Sequence, residues 1–217
     1  MGTWVDWHAD YDRPGSSLSR RLEVVKERLR QALAANPPGA TVLSLCSGDG
    51  RDVMPVVAEN PGRVGRAVLV ELDPILADRA KRAADQQMLS HIEVRGLDAG
   101  DVGSFADVLP VDVLLLCGIF GNIAHLDVKG VIAQIPKLLR AGGHVIWTRG
   151  GSQPDRRPEV RRWFLDAGLE EVGFDGEPEP YGVGLNRLPK PDPKAAPTAD
   201  PDAGRPLPAR LFTFEPR

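Results

Sequence analysis

The chain has 217 residues, of which 42% are hydrophobic and 26% charged, and its formal net charge is −3. This composition predicts a soluble globular α/β protein without the basic face of a nucleic-acid binder, and no apolar run reaches the ~18 residues that span a bilayer. The N-terminus lacks a basic stretch followed by an apolar core, and two cysteines do not form a disulfide framework. We therefore expect a cytoplasmic protein with a small-molecule substrate and neither a membrane nor a nucleic acid as partner.

Residues 1–39 are predicted to form an N-terminal arm and one helix that together lie on the substrate side, as a lid. The helix is expected to begin after Ser16 or Ser17, both of which are good N-caps. An apolar stripe at helical spacing follows, formed by Leu18, Leu22, Val25, Leu29 and Leu33. The proline pair before Gly39 ends this helix.

From residue 40 to 217, apolar strand patterns and helical patterns alternate in a core domain. Strands are predicted near residues 41–46, 66–71, 91–95, 111–117 and 143–148. Helices are predicted near residues 51–60, 74–88, 127–140 and 156–167. Such alternation is typical of right-handed βαβ units, which build a doubly wound parallel sheet covered on both faces.

The end of the chain departs from this alternation. Residues 169–174 and 209–214 both have strand patterns, and no helix is predicted between them, so we expect them to pair as an antiparallel hairpin. The intervening proline-rich loop, residues 176–208, is predicted to be mobile and irregular over 189–208, with a short strand at 181–185. The fold class predicted is therefore α/β, with a mostly parallel sheet of seven strands.

A short loop after the first strand indicates a bound ligand. The apolar run that begins at Val42 ends in the turn Gly48-Asp49-Gly50, and a helical pattern follows. Twenty-one residues after Gly50, the next apolar run ends in Glu71, at the spacing of a carboxylate that accepts hydrogen bonds from ribose hydroxyls. These two features together predict a nucleoside-like cofactor.

The loop is better suited to a nucleoside without phosphates than to a dinucleotide. Val53 stands where a pyrophosphate-binding loop has its third glycine, and Asp49 and Asp52 place negative charge where phosphates would approach, at a cost of ~1 kcal/mol or more. S-adenosylmethionine fits such a loop. The alternative interpretation is that the two aspartates only cap a helix N-terminus.

These motifs resemble those of the class I S-adenosylmethionine-dependent methyltransferases over residues 40–175, with a weaker match at the C-terminal strand. The first motif has Ser44 in place of an acid and Cys46 in place of a glycine. The resemblance extends to a group of bacterial methyltransferases without an assigned substrate. It implies the Rossmann-like methyltransferase fold, S-adenosyl-L-methionine as cofactor, a role for Glu71 at the ribose and roles for Leu72 and Asp98 at the adenine. The cofactor contacts it implies are Cys46, Ser47, Gly48, Asp49, Gly50, Glu71, Leu72, Asp98, Ala99, Cys117 and Gly118.

Candidates for acid–base chemistry are few. His125 follows the fourth strand and is either a general base or a helix-capping histidine. His8 and Tyr11 belong either to a lid over the cofactor or to an arm that packs on the sheet. The four histidines have no metal-ligand spacing, so no metal is expected.

Three functions remain open from the sequence. The preferred one is a methyltransferase that acts on a small molecule. The alternatives are a non-catalytic module that binds a nucleoside cofactor and, less favoured, an NAD(P)-dependent oxidoreductase.

Overall fold

A computed structural model describes residues 9–191 and 206–215 of the chain. The strands are β1 Ala40–Leu45, β2 Val64–Val70, β3 Ile92–Arg95, β4 Val111–Leu116, β5 Leu139–Gly150, β6 Glu170–Asp175 and β7 Tyr181–Arg187. The helices are α1 Ser17–Ala35, α2 Met54–Glu59, α3 Pro74–Gln86, α4 His125–Leu138 and α5 Arg157–Asp166. Among these described helices, none combines the length and the apolar character that crossing a membrane would require.

The strands form one sheet of seven, in the order β3-β2-β1-β4-β5-β7-β6. The strands from β1 to β5 run parallel, whereas β7 is antiparallel to both of its neighbours, β5 and β6. The prediction of a mostly parallel sheet with an antiparallel ending is confirmed. The strand order reverses between β1 and β4, and ligands of open α/β sheets bind at such a switch point.

The helices cover both faces of the sheet because the parallel strands are apolar on both sides. Leu43 and Leu45 of β1 face one core, which α4 and α5 complete, whereas Val42 faces a second core built with α1, α2 and α3. Both cores are fully buried, and each large aliphatic side chain in them stabilises the fold by roughly 1.5–3 kcal/mol. The doubly wound arrangement predicted from the sequence is confirmed.

Local capping chemistry sets the start of two helices. Ser16 precedes α1, and its hydroxyl accepts a hydrogen bond from the backbone N–H of Ser19 at 3.0 Å. Asp73 precedes α3 and accepts from the N–H groups of Ile75 and Leu76, while Pro74 occupies the first turn. These residues satisfy backbone donors that the helix leaves unpaired.

The second strand of the C-terminal hairpin is β7, Tyr181–Arg187. The prediction that residues 209–214 form this strand is therefore wrong. Residues 181–186 are all buried, because this strand lies between β5 and β6 rather than at an edge. Its Gly184 fits there because any side chain would overlap the indole ring of Trp147. Residues 209–214 instead make only isolated bridges, through Arg210 to Asp101 and through Phe214 to Ile123. Of the loop expected to be irregular, residues 192–205 lie outside the described residues.

Candidate functional site

A cavity of about 340 Å³ opens at the carboxyl edge of the sheet, at the switch point between β1 and β4. Most of the residues predicted to bind the cofactor line it, namely Cys46, Ser47, Gly48, Asp49, Glu71, Leu72, Asp98, Ala99, Cys117 and Gly118. Tyr11 also lines it. Residues far apart in the sequence thus meet around one space.

The strand order arranges the lining residues in a row. Asp98 follows β3, Glu71 follows β2, Cys46 follows β1 and Cys117 follows β4. Neighbouring strands are ~4.8 Å apart, so the cavity is a groove that crosses four strand ends. An elongated ligand can therefore contact these residues in the order in which their strands lie in the sheet.

The loop after β1 has an unusual backbone. Cys46 has a φ of 56°, Gly48 of 58° and Gly50 of 76°. Glycine adopts this left-handed region without steric cost, whereas Cys46 occupies it with a Cβ atom. Gly50 does not line the cavity, and a Cβ there would lie 2.6 Å from Cε of Met54, so Gly50 shapes the turn rather than the lining.

The backbone N–H groups of this loop are largely used within the protein. The N–H of Ser47 donates to the carbonyl of Val70 at 3.1 Å, and that of Gly50 donates to the carbonyl of Ser47 at 3.0 Å. The N–H of Gly48 donates to Oε2 of Glu71 at 2.8 Å. A pyrophosphate needs such donors free, so this loop offers it little.

Glu71 is 9% exposed and links the loop to the helix that follows. Its Oε2 accepts from Gly48, and its Oε1 accepts from the N–H of Asp73 at 2.8 Å. A carboxylate has about four acceptor sites, so both oxygens keep capacity for a further hydrogen bond. The side chain is therefore held in place and can still accept from a pair of ligand hydroxyls.

The C-terminal segment, residues 206–215, completes the end of the cavity near β3. Oδ1 of Asp98 accepts from the N–H of Gly100 at 2.8 Å, and Oδ2 pairs with Arg210 at 2.9 Å. Phe214 lines the cavity, and the exposed Leu72 lies along the same lining. The sequence motifs do not single out Arg210 or Phe214, because this segment reads as a strand.

A pair from the N-terminal part of the chain also lines the cavity, the buried Arg21 and the half-buried Tyr11. Arg21 is 8% exposed, and its Nη2 lies 2.5 Å from the hydroxyl of Tyr11. Burial raises the pKa of Tyr11 above its usual 10, and the nearby Arg21 opposes that shift. The motifs miss Arg21. The feature of the sequence that could have identified Arg21 is its position four residues before Val25, which places it on the apolar stripe of α1.

Asp49 forms an ion pair, whereas the sequence predicted that it would place an unpaired negative charge in the loop. Nη2 of Arg51 lies 2.6 Å from Asp49 Oδ2, and Nε of the same arginine lies 2.8 Å from Oδ1. Arg51 also reaches Asp12 at 3.0 Å and packs over the ring of Tyr11 at 5.0 Å. A bidentate pair offsets the charge of Asp49, so repulsion of phosphate by this residue is weaker than expected.

Asp52 is a second buried carboxyl in the cavity lining, besides Glu71. It is 8% exposed, and burial raises its pKa to about 6, with backbone N–H groups of Asp52 and Val53 opposing the shift. Within residues 9–191 and 206–215, its Oδ1 has no hydrogen-bond partner, and neither has the buried hydroxyl of Ser47. Buried polar atoms are normally paired, so these two oxygens in one cavity indicate a ligand that supplies donors.

The two cysteines are free thiols on neighbouring strand ends. Burial raises the pKa of Cys46 well above its usual range, and Glu71 adds to that shift. Burial also raises the pKa of Cys117, with Asp52 contributing. Both thiols therefore stay protonated at neutral pH and are weak nucleophiles.

The structure does not bring His125 into the cavity. His125 begins α4, its Nε2 lies 2.7 Å from Oε2 of Glu159, and its ring lies 4.7 Å from that of Trp163. It is absent from the cavity lining, so we do not assign it as a general base. His8 lies outside the described residues. In the described part of the chain, no three acidic, histidine or cysteine side chains are grouped to hold a metal.

Comparisons with solved structures place this fold among methyltransferases. An O-methyltransferase family protein from Burkholderia thailandensis has a TM-score of 0.64 at 18% identity, over 80% of this chain and 57% of that one. A magnesium protoporphyrin IX methyltransferase from Synechocystis PCC 6803, with bound SAM, has a TM-score of 0.60 at 13% identity, over 77% and 79%. A geranyl diphosphate methyltransferase in complex with SAM has a TM-score of 0.57 at 17% identity, over 84% and 94%.

The likeness defines the architecture: this chain has the Rossmann-like fold of the class I S-adenosylmethionine-dependent methyltransferases. It spans less than two thirds of the length of the Burkholderia protein. No protein-family model matches the sequence, and the search of curated proteins finds no match. One fold supports many activities, and the residues of the site determine which of them a protein has.

Proposed function

We propose that this protein transfers a methyl group from S-adenosyl-L-methionine to a small-molecule acceptor. The observation that carries the proposal is Glu71, a buried carboxylate at the end of β2 that faces the cavity with acceptor sites to spare. A carboxylate in this place recognises the two hydroxyls of a ribose. The ligand class is therefore a nucleoside.

The rest of the lining fits the parts of this cofactor. In this proposal Asp98 and Leu72 supply a hydrogen-bond acceptor and an apolar surface for an adenine, and Phe214 adds an aromatic ring to the same lining. When bound, the sulfonium supplies both the methyl group and its leaving group. The protein then contributes chiefly by holding the acceptor in line, which can account for a large part of the rate.

The same cavity disfavours NAD, which would contribute a pyrophosphate. The N–H groups of Ser47, Gly48 and Gly50 already have partners, and Val53 is fully buried where a third glycine would be needed. Asp52 keeps an acidic group at the helix entrance. The oxidoreductase alternative is therefore not supported by this site.

Tyr11 is the side chain that we assign to the acceptor, and the described part of the N-terminal segment, residues 9–39, forms the acceptor side of the cavity in this proposal. Its hydroxyl lies in the cavity lining beside Arg21. Because burial raises its pKa, Tyr11 remains neutral near pH 7 and orients an acceptor by hydrogen bonding rather than by removing a proton. An acceptor whose nucleophile need not lose a proton requires only this orientation and no general base.

We expect the protein to bind S-adenosylhomocysteine much more tightly than NAD. The reason is the ribose carboxylate together with the lack of free pyrophosphate donors in the loop. Isothermal titration calorimetry with each ligand, at the same protein concentration and ionic strength, measures the difference. Tighter binding of NAD would overturn the proposed cofactor.

Catalysis requires a second measurement, because a binding module would also pass the first. Incubation of the protein with methyl-labelled S-adenosylmethionine and fractionated small-molecule extracts should transfer label to an acceptor of low mass. A Glu71→Gln variant serves as the matched control and should transfer much less. Tight binding without transfer to any fraction would favour a non-catalytic module.

The thiols provide a check on where the ligand lies. Cys46 and Cys117 should react slowly with iodoacetamide at pH 7.5, since burial raises both pKa values, and S-adenosylhomocysteine should slow the reaction further. Mass spectrometry of the modified peptides measures each site, and denatured protein gives the fully accessible reference. Equal labelling with and without the ligand would contradict its placement at the β1 loop.

A further inference from the structure

Arg149 is a half-buried arginine near the carboxyl end of β5. Within residues 9–191 and 206–215, its guanidinium makes no hydrogen bond or ion pair. Burial lowers the pKa of Arg149, and the positive charge of Arg156 adds to that shift. A cation that is partly withdrawn from water without a paired anion is unfavourable. The folded chain therefore holds at this strand end a charge that a bound anion would neutralise.

The carboxylates around Arg149 are committed to other arginines. Asp155 is the acidic group that acts electrostatically on Arg149. Its two oxygens accept from Arg157, at 2.9 Å from Nε and 2.8 Å from Nη2. Glu159 is likewise paired with Arg156, at 3.2 Å. Neither carboxylate is therefore left to serve as the partner of Arg149.

The end of β5 lies directly beside the cavity. β5 is the parallel neighbour of β4, with Leu116 opposite Trp147. One step further along, the N–H of Gly118, which lines the cavity, donates to Oγ1 of Thr148 at 2.9 Å. Neighbouring strands are ~4.8 Å apart, so the backbone of Arg149, the residue after Thr148, lies about one strand spacing from the cavity lining. An extended arginine side chain is longer than this spacing.

This strand end is on the side of the groove that we assign to the acceptor. Asp98 and Glu71 follow β3 and β2, whereas β5 is the strand beyond β4, at the opposite end of the row. Tyr11, which we assign to the acceptor, lies near the end of β4, because the thiol of Cys117 contributes to the shift in the pKa of Tyr11. Arg149 therefore adjoins the acceptor rather than the nucleoside.

The chemistry of a guanidinium selects the charge of its ligand. It is planar and always charged, and it binds a carboxylate or a phosphate through two parallel hydrogen bonds. Arg149 repels a protonated amine and attracts an acidic molecule, and the positive charge of Arg156 acts in the same direction. An anionic group on the acceptor would supply the hydrogen bonds that Arg149 does not make within the described chain.

We propose that Arg149 binds a carboxylate or phosphate group of the methyl acceptor, so that the substrates are small acidic molecules. The proposal rests on the function proposed above and names its substrate class. The methyl group goes to another atom of the same molecule. A lone pair of that atom forms the bond to the methyl carbon, the electron pair of the broken carbon–sulfur bond stays on sulfur as a neutral thioether, and any proton on the nucleophile passes to water.

The first test asks which molecules accept the methyl group. Strong anion exchange at pH 7 divides a small-molecule extract, before any reaction, into a retained acidic fraction and an unretained fraction of neutral and basic molecules. Wild-type protein with methyl-labelled S-adenosylmethionine should transfer label to the retained fraction. Phosphatase treatment of that fraction distinguishes the two anions: loss of acceptor activity indicates a phosphate, and unchanged activity indicates a carboxylate. Equal or faster transfer to the unretained fraction would overturn the proposal.

Variants then assign the selection to Arg149. In Arg149→Gln, the amount of the retained fraction needed for half-maximal transfer should rise about tenfold or more, whereas the affinity for S-adenosylhomocysteine should change less than twofold. Arg149→Lys keeps the positive charge and should recover part of the loss. Arg162→Gln is the matched control, because Arg162 is exposed on α5. Circular dichroism and thermal melts establish that each variant is folded.

The outcomes separate this proposal from the one on which it rests. If folded Arg149→Gln protein requires no more of the retained fraction than wild type does, Arg149 does not bind the acceptor, and the methyltransferase function is unaffected. If wild-type protein transfers label to neither fraction, the proposed catalytic function is overturned, and the acidic acceptor with it.

Discussion

Replacing Glu71 with glutamine is expected to weaken binding of S-adenosylhomocysteine by about tenfold to a hundredfold. A hydrogen bond to a charged group contributes about 1.5–3 kcal/mol, and the amide keeps only one acceptor oxygen for the ribose. The new NH₂ group must also face the backbone N–H of either Gly48 or Asp73, because each now donates to a carboxylate oxygen. The loop after β1 should loosen as well, which adds to the loss.

Calorimetry on the variant measures this loss, and Glu59→Gln is a suitable control. Glu59 lies at the end of α2, where it is exposed and pairs with Arg30 rather than facing the cavity. Its replacement should leave ligand affinity unchanged. An unaltered affinity in the folded Glu71→Gln protein would show that this carboxylate does not contact the ligand.

Asp52→Asn is expected to stabilise the protein without ligand at neutral pH. Burial raises the pKa of this carboxyl from its ordinary 3.8 to about 6, so the ionised form is less favourable in the folded chain than in the unfolded chain. A shift of this size corresponds to at most about 3 kcal/mol. The charges that face Asp52 are Asp49, which adds to the shift, and Arg21, which opposes it.

The sign of the pH dependence follows from the two pKa values. Below the unfolded value of 3.8, the carboxyl is protonated in both states, and its contribution to stability is complete. As the pH rises toward about 6, the unfolded chain releases the proton first, and that stability is lost. The asparagine variant has no such loss, so its advantage over wild type should grow between about pH 4 and pH 7.

Chemical denaturation of both proteins across this range, without ligand, gives the difference in free energy of unfolding. Every other titrating group is common to the two proteins, so subtraction removes it. A difference that stays constant from pH 4 to pH 7 would show that Asp52 ionises as in an unfolded chain. If Asp52→Asn is the more stable protein, Asp52 keeps its charge at the expense of stability, as functional groups often do.

The sequence by itself determined the parallel half of the sheet. Strands of parallel sheets are buried on both faces and therefore appear in the sequence as continuous apolar runs, such as residues 67–70, while the apolar positions of the helices between them repeat every three to four residues. Both patterns are local, so they can be recognised without knowing the partners of any residue. The glycine turn at Gly48 and the position of Glu71 are also local features, and they predict a nucleoside site without knowledge of any tertiary contact.

Only the tertiary structure decided which distant residues meet. Two segments near the C-terminus had strand patterns, and residues 181–187 became the last paired strand because they fit between β5 and β6, with Gly184 against Trp147. Residues 206–215 instead contribute Phe214 to the lining of the cavity. The period of the hydrophobic pattern indicates which residues are buried but not which strand they pair with, so it does not distinguish these two outcomes.

The same limit applies to the charged groups of the site. Arg21 reads as part of an amphipathic helix, and only the packing of α1 beside the loop after β1 brings it near Asp52. From the sequence, Asp49 is an unpaired charge and His125 is a candidate base. In the structure, Arg51 pairs with Asp49 and Glu159 pairs with His125. The sequence gives the chemistry that each side chain can perform, whereas burial and the nearest opposite charge, which are non-local, decide what it does.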